Sequence, residues 1–176
     1  MTACLVLLPL VAVVLILMGY NPQRTARIAT ALMLLGGIFL ALLWALDVRD
    51  GLAIAPVVLA KPEIRLGLDL YDGMSVIMML LSVIVAFAAS RSGDCEGRHS
   101  RLWNISILLI AAGAVGAFIS TDLFFFYAFH ELALIPTFLM IGILGRGERR
   151  QIAWRITIFL AFGSIVLLAG LLWLVS

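Results

Sequence analysis

Six long apolar runs constrain this sequence more than any other feature. A membrane helix needs roughly 20 apolar residues to cross about 30 Å of hydrocarbon, and open sheets leave backbone groups unsatisfied in lipid. We therefore predict an all-α fold, a multi-pass transmembrane helical bundle of about six helices, with residues 1–176 forming a single transmembrane domain. The predicted helices span about Ala3–Met18, Ile28–Leu46, Gly73–Ser90, Leu102–Ile119, Asp122–Leu144 (Asp122 as the cap) and Gln151–Ser176.

The segment from Asp47 to Gly73 differs from the rest of the chain. It mixes prolines and charges with short apolar pieces such as Ile54–Leu59, a pattern compatible with a small hairpin outside the bilayer between the second and third helices. Cys4 and Cys95 have no metal-ligand or disulfide spacing, so we interpret both as structural.

Charge is sparse and unevenly placed. Only 12% of residues are charged and the formal net charge is +2, which excludes a nucleic-acid surface and leaves the lipid bilayer as the surroundings. Arginines concentrate after the first, third and fifth helices, and few basic residues lie on the other side. By the positive-inside rule, those loops face the cytoplasm and the N-terminus lies outside. The residues counted inside are Arg24, Arg27, Arg91, Arg98, Arg101, Arg146, Arg149, Arg150 and Arg155, against Arg49, Lys61 and Arg65 outside.

Small residues recur in the fourth helix. Ala112/Gly116 and Gly113/Ala117 are pairs four residues apart, and such pairs permit close helix approach. We predict that this helix lies in the interior of the bundle.

Glu131 is the candidate functional residue, because it falls near the middle of the fifth helix. A carboxylate at that depth costs about 2.5 kcal/mol or more, so such residues usually face the bundle interior and belong to ion or proton paths. Burial favours the neutral acid and a nearby cation favours the ionised form, so movement of a partner charge can load or unload a proton. Glu131 is thus predicted to take part in proton translocation.

Three neighbours of Glu131 are secondary candidates. Tyr127 lies one turn earlier on the same face, where its hydroxyl is placed to bond the carboxylate, whereas His130 points about 100° away and would relay protons through water. Pro136 removes the hydrogen bond to the carbonyl of Leu132, which predicts a helix kink. We predict no catalytic, cofactor-binding or metal-binding residues.

Structural alternatives exist for each candidate. Glu131 can be an interhelical hydrogen-bonding residue, His130 a satisfied core histidine, and Pro136 an ordinary membrane-helix proline. The pair Gly163-Ser164 in the sixth helix is interpreted as a close helix contact. A stripe of phenylalanines is interpreted as packing and lipid contact, comprising Phe124, Phe125, Phe126 and Phe129.

These motifs together resemble a known family. The run STDLFFFYAFHELALIP from Ser120 to Pro136, then Ile141-Gly-Ile-Leu-Gly145, Arg149 and Gly163-Ser164, is similar to the antiporter-like proton-pumping membrane subunits of respiratory complex I, of the chain M or subunit 4 type; Leu66–Ser75 resembles that family's entry into its third helix. The resemblance implies that Glu131 matches a glutamate that pairs with a lysine on a seventh helix and couples quinone reduction to proton transfer.

The chain departs from the family pattern at several places. His130 replaces a usual tryptophan, Arg155 a common lysine and Phe159 a common tyrosine, while Asp69, Asp72, Arg98 and Arg155 carry no site assignment. The helix with the partner lysine would follow the sixth helix. We therefore expect the N-terminal portion of a longer subunit, truncated or split.

The resemblance implies a membrane subunit of a proton-translocating NADH:quinone oxidoreductase in a bacterial inner membrane, with other complex I membrane subunits as partners. No dinucleotide fingerprint, cysteine cluster or haem-ligand pair occurs, so NAD, FMN, iron–sulfur clusters and quinone are expected in partner subunits. The alternatives are a cation/proton antiporter or membrane-bound hydrogenase subunit of the same superfamily, and a non-catalytic membrane scaffold.

Overall fold

Helices account for most of the fold. The computed structural model describes residues 2–47, 57–60, 63–65, 67–70, 72–92, 98–145 and 147–175. The elements in chain order are α1 (Thr2–Leu17), α2 (Pro22–Ala45), β1 (Val57–Ala60), β2 (Glu63–Arg65), α3 (Gly73–Ser92), α4 (Arg98–Ile119), α5 (Leu123–Leu139), a π-helical turn (Met140–Leu144) and α6 (Arg149–Val175).

The helices form a multi-pass membrane bundle, which confirms the predicted fold class. Five of them, counting α5 with its π-helical turn as one, are long and apolar enough to cross a membrane. The remaining one, α1, has only 16 residues and is shorter than the roughly 20 residues that a perpendicular crossing requires.

The segment between α2 and α3 contains the predicted hairpin. β1 and β2 pair antiparallel, with Val57 opposite Arg65 and Ala60 opposite Glu63, and the register shifts between Val57 and Leu59. Such a shift is typical of a β-bulge, which twists a two-stranded ribbon and limits its length. Cys95 lies outside the described residues, and Cys4 is an exposed free cysteine on α1.

Two helix starts were predicted wrongly. α2 begins at Pro22 rather than Ile28, because Asn21 caps it: the Asn21 Oδ1 accepts the backbone N–H of Gln23 at 3.2 Å and of Arg24 at 3.3 Å. Proline at the first helical position has no N–H to leave unpaired and is preset for the helix. α4 begins at Arg98 rather than Leu102. Arg24 and Arg98, which were assigned to loops, therefore lie in the first turns of α2 and α4.

α4 forms the centre of the bundle, as its small residues predict. It packs against α1, α2, α3 and α5, and Leu108, Ala112 and Val115 are completely buried on it. α6 lies outside this group and packs against α5 and the π-helical turn.

The turn from α4 into α5 is fixed by the strand-like segment before α3. The backbone N–H of Asp69 donates to the carbonyl of Ile119 at 2.8 Å, and that of Thr121 donates to Gly67 at 2.9 Å. The buried Thr2 Oγ1 donates to the carbonyl of Leu68 at 2.8 Å. These bonds join α1, the α3 entry and the start of α5, the helix that carries Glu131.

Candidate proton-transfer site

α5 is anchored at its start by a side-chain cap. The Asp122 Oδ1 accepts the backbone N–H of Phe124 at 2.8 Å, as predicted for an aspartate at this position. The α-helix then continues through the buried Pro136 to Leu139, and a π-helical turn follows from Met140 to Leu144. Pro136 therefore does not end the helix. A kink at Pro136 stays a prediction.

α5 approaches α4 closely at two glycines. A Cβ on Gly113 would lie 2.6 Å from the carbonyl oxygen of Phe129 and 2.9 Å from the backbone nitrogen of Ala133, and a Cβ on Gly116 would lie 2.5 Å from the Phe129 ring. The predicted close approach is present, with the contact made by one glycine from each predicted pair. Phe129 and Ala133 flank Glu131 in sequence, so the two glycines set the distance between α4 and the turn of α5 that carries Glu131.

Glu131 is half-buried and hydrogen-bonded to the neighbouring helix α6. The buried Ser164 Oγ of α6 donates to the Glu131 Oε1, and the same Ser164 oxygen lies 3.0 Å from the Tyr127 Oη. A chain of three polar groups therefore runs from Tyr127 through Ser164 to Glu131. It joins two turns of α5 by way of α6.

The direct Tyr127–Glu131 hydrogen bond expected from helix geometry is not formed, because Ser164 lies between the two groups. Gly163-Ser164 was predicted as a close helix contact, yet Gly163 has nothing within 4 Å of an added Cβ. The contact belongs to Ser164 alone. Serine in an apolar membrane helix is one of the residues that hydrogen-bond across helices.

A groove of about 170 Å³ opens beside Glu131, between α5 and α6. Its walls are mainly apolar, and Thr157 of α6 adds a hydroxyl. Among the residues that the structure describes, none donates a hydrogen bond to the second carboxyl oxygen of Glu131, Oε2, and no basic side chain pairs with the acid. The groove is lined by Glu131, Leu134, Ile135, Phe138, Thr157, Leu160 and Ala161.

His130 stays outside this chain of hydrogen bonds. Its Nδ1 is buried and has no hydrogen-bond partner within the described part of the chain. A buried imidazole nitrogen left in that condition is costly unless a water or another group reaches it. The relay role of His130 stays a prediction. The same described ranges hold no cluster of His, Cys, Asp or Glu suited to a metal ion.

The phenylalanine stripe includes both packed and exposed side chains. Phe129 packs against the buried core cluster, whereas Phe124 is 57% exposed. Phe125 contacts both rings, with centroids 5.4 Å from Phe124 and 6.5 Å from Phe129.

The π-helical turn after α5 is bonded to the start of α6. Arg149 Nη1 of α6 donates to the carbonyl of Ile143 at 2.9 Å.

Comparison with known proteins finds relatives of part of this chain. No family profile matches the chain. Over 108 residues, 61% of this chain, it is 37% identical to the NAD(P)H-quinone oxidoreductase chain 4, chloroplastic, of Ipomoea purpurea and 35% identical to that of Nuphar advena. The chain is similar to part of quinone oxidoreductase chain 4. It spans about a fifth of the length of these relatives, 21% in each case.

Two solved structures share the fold. A chain of respiratory complex I from Thermus thermophilus with bound NADH superposes with a TM-score of 0.78 and 28% identity, covering 98% of this chain and 35% of that one. A chain of the membrane-bound sulfane sulfur reductase, an archaeal respiratory membrane complex, superposes with a TM-score of 0.71 and 20% identity, covering 94% of this chain and 26% of that one. This second likeness shows the fold alone. The resemblance to complex I seen in the motifs is confirmed.

Proposed function

We propose that this chain takes part in proton translocation as a membrane subunit of an NADH:quinone oxidoreductase, with Glu131 as its proton-carrying group. The observation that carries the proposal is the placement of Glu131. It is an acid on a membrane helix, bonded to Ser164 of α6 and lining the groove between α5 and α6, in a chain similar to chain 4 of such complexes.

The chemistry of Glu131 follows from its two carboxyl oxygens. Oε1 is held by Ser164, so Oε2 is the oxygen that exchanges a proton or meets a cation. A positive side chain entering the groove would stabilise the ionised acid, and its withdrawal would favour the protonated acid. The family resemblance assigns that cation to a lysine on a seventh helix. A change in the position of this charge then moves one proton on or off Glu131.

Electron transfer belongs, in this proposal, to other subunits. The chain contributes no catalytic, cofactor-binding or metal-binding residue, and NAD, FMN, iron–sulfur clusters and quinone are held by its partners. Its direct partners are the other membrane subunits of the complex and the surrounding lipid.

The proposed location is a bacterial inner membrane, with the N-terminus on the periplasmic side. Support comes from where the helices place their arginines: the first turn of α2, the last turn of α3 and the start of α6 all lie at the same end of the bundle. Such a bias marks the cytoplasmic side of a membrane protein. Representative residues are Arg24, Arg91 and Arg149.

The test is the Glu131→Gln variant of the assembled complex in sealed inverted membrane vesicles. We expect it to assemble and to lose NADH-driven acidification of the vesicle interior, because an amide cannot carry the proton. The matched control is Glu148→Gln, which removes an exposed glutamate just before α6 and should leave acidification unchanged. Acidification at the normal rate in the Glu131→Gln variant would overturn the proposal.

The same variant separates the alternatives. For a cation/proton antiporter or a membrane-bound hydrogenase subunit, the Glu131-dependent proton movement would follow a cation gradient or hydrogen oxidation rather than NADH oxidation. For a non-catalytic scaffold, Glu131→Gln would first reduce the amount of assembled complex, and proton translocation per assembled complex would stay constant.

A further inference from the structure

Ser164 differs from the rest of α6. Nearly every side chain described on this helix is exposed or half-buried, and only two are buried, Ala153 at 2% and Ser164 at 5% exposure. They lie eleven residues apart, which is close to three helical turns, so they share the face that meets α5. Ser164 is the hydroxyl on that face that reaches Glu131.

The hydrogen bonds of Ser164 also differ from those of the other hydroxyls in these helices. Thr137 of α5 and Thr157 of α6 each donate to the carbonyl four residues earlier in their own helix, at 2.8 Å. That arrangement satisfies the hydroxyl without a neighbour. Ser164 instead donates across to another helix, to Glu131. Its hydroxyl is therefore committed to the acid.

The donor and acceptor inventory fixes the direction of this chain of bonds. An ionised carboxylate only accepts, and a serine hydroxyl has one proton to donate. When Glu131 is ionised, Ser164 donates to it, and the Tyr127 hydroxyl must then donate to Ser164 across the 3.0 Å contact. When Oε2 of Glu131 takes up the proton, Oε1 remains a carbonyl oxygen that only accepts, so Ser164 keeps donating to it.

We infer that Ser164 is a positioning residue: it holds Oε1 of Glu131 against α6 and leaves Oε2 to exchange the proton. The inference rests on the proposed proton-carrying role of Glu131. Tyr127 lies four residues nearer the start of α5 and contacts the Ser164 hydroxyl at 3.0 Å.

The test compares Ser164→Ala with Thr137→Val in the assembled complex. Infrared difference spectra between acidic and alkaline pH report the carboxyl stretch of Glu131, assigned as the band that disappears in Glu131→Gln. We expect Ser164→Ala to move this band to the position of an acid lacking the hydrogen bond. Thr137→Val should leave it in place, because that hydroxyl bonds only to its own helix.

Proton translocation provides the second readout. We expect Ser164→Ala to lower NADH-driven acidification about tenfold at an unchanged level of assembled complex, since a hydrogen bond to a charged group contributes about that factor or more. Tyr127→Phe should leave the Glu131 band close to its original position, because the Ser164 donor remains.

The outcomes separate this inference from the proposed function. A Glu131 band that stays in place in Ser164→Ala, or that moves equally in Thr137→Val, would overturn the role of Ser164 even if Glu131 carries protons. Normal acidification in Glu131→Gln would instead overturn the proposed function, while the band shift in Ser164→Ala would still establish the contact.

Discussion

Replacement of Gly113 by alanine perturbs the contact on which the position of Glu131 depends. The added Cβ would lie 2.6 Å from the carbonyl oxygen of Phe129, 2.9 Å from the nitrogen of Ala133 and 3.0 Å from its Cβ. Two of these are backbone atoms, which cannot turn aside as a side chain can. The variant therefore forces α5 away from α4 by several tenths of an ångström along the turn that carries Glu131.

The expected size of the effect follows from this overlap. Overpacking of a tightly packed contact costs about 1–3 kcal/mol, and for a chain of this size each kcal/mol lowers the melting temperature by roughly 2–4 °C. We predict that Gly113→Ala lowers the melting temperature of the chain in its extracted complex by about 2–12 °C. The assay is the amount of this chain that stays soluble after heating, measured across a temperature series.

The matched control is Gly163→Ala on α6, where an added Cβ meets nothing within 4 Å. Alanine favours a helix over glycine, so this variant should keep or slightly raise the melting temperature. Equal melting temperatures for the two variants would show that α4 and α5 are not in the close contact described.

Two further predictions concern the helix starts. Asp122→Ala removes the acceptor of the Phe124 N–H and should cost about 1 kcal/mol, seen as a lower melting temperature that Asp122→Asn largely restores; equal losses in both variants would contradict a capping role. The Ser75 side-chain and backbone hydrogen bonds lower the pKa of Asp72. The ionised Asp72 carboxylate therefore stabilises the fold at pH values above the usual carboxyl pKa, and this stabilisation is lost as pH falls through the lowered pKa. Ser75→Ala should raise that pKa toward the ordinary value in a carboxyl NMR titration, and an unchanged titration would exclude the side-chain bond as its main cause.

The bundle was predictable because lipid admits few solutions. Long apolar runs define the helices, and the pairs that include Gly113 and Gly116 place α4 inside. The start of α2 was missed because polar residues after Asn21 suggested a loop, whereas Asn21 and Pro22 form a cap and first turn. Hydropathy alone does not register such local hydrogen bonds.

The sequence identified the acid of the site but not its hydrogen bonds. An intramembrane glutamate is costly wherever it lies, so Glu131 can be recognised from the sequence alone. The Ser164 contact depends on which face α6 turns toward α5. The residue pattern of α6 does not indicate that face, because nearly all faces of the helix are apolar. Helix periodicity therefore favoured a direct bond from Tyr127, and the bridging hydroxyl emerged only from the three-dimensional packing.

Glu131 is proposed to exchange a proton during turnover. Redox-difference infrared spectra of the complex, recorded with NADH supplied and then exhausted, detect such an exchange. We expect a carboxyl band that appears or disappears with turnover in the unmodified complex and in Glu148→Gln, and that is missing in Glu131→Gln. Spectra that are identical in all three would contradict it.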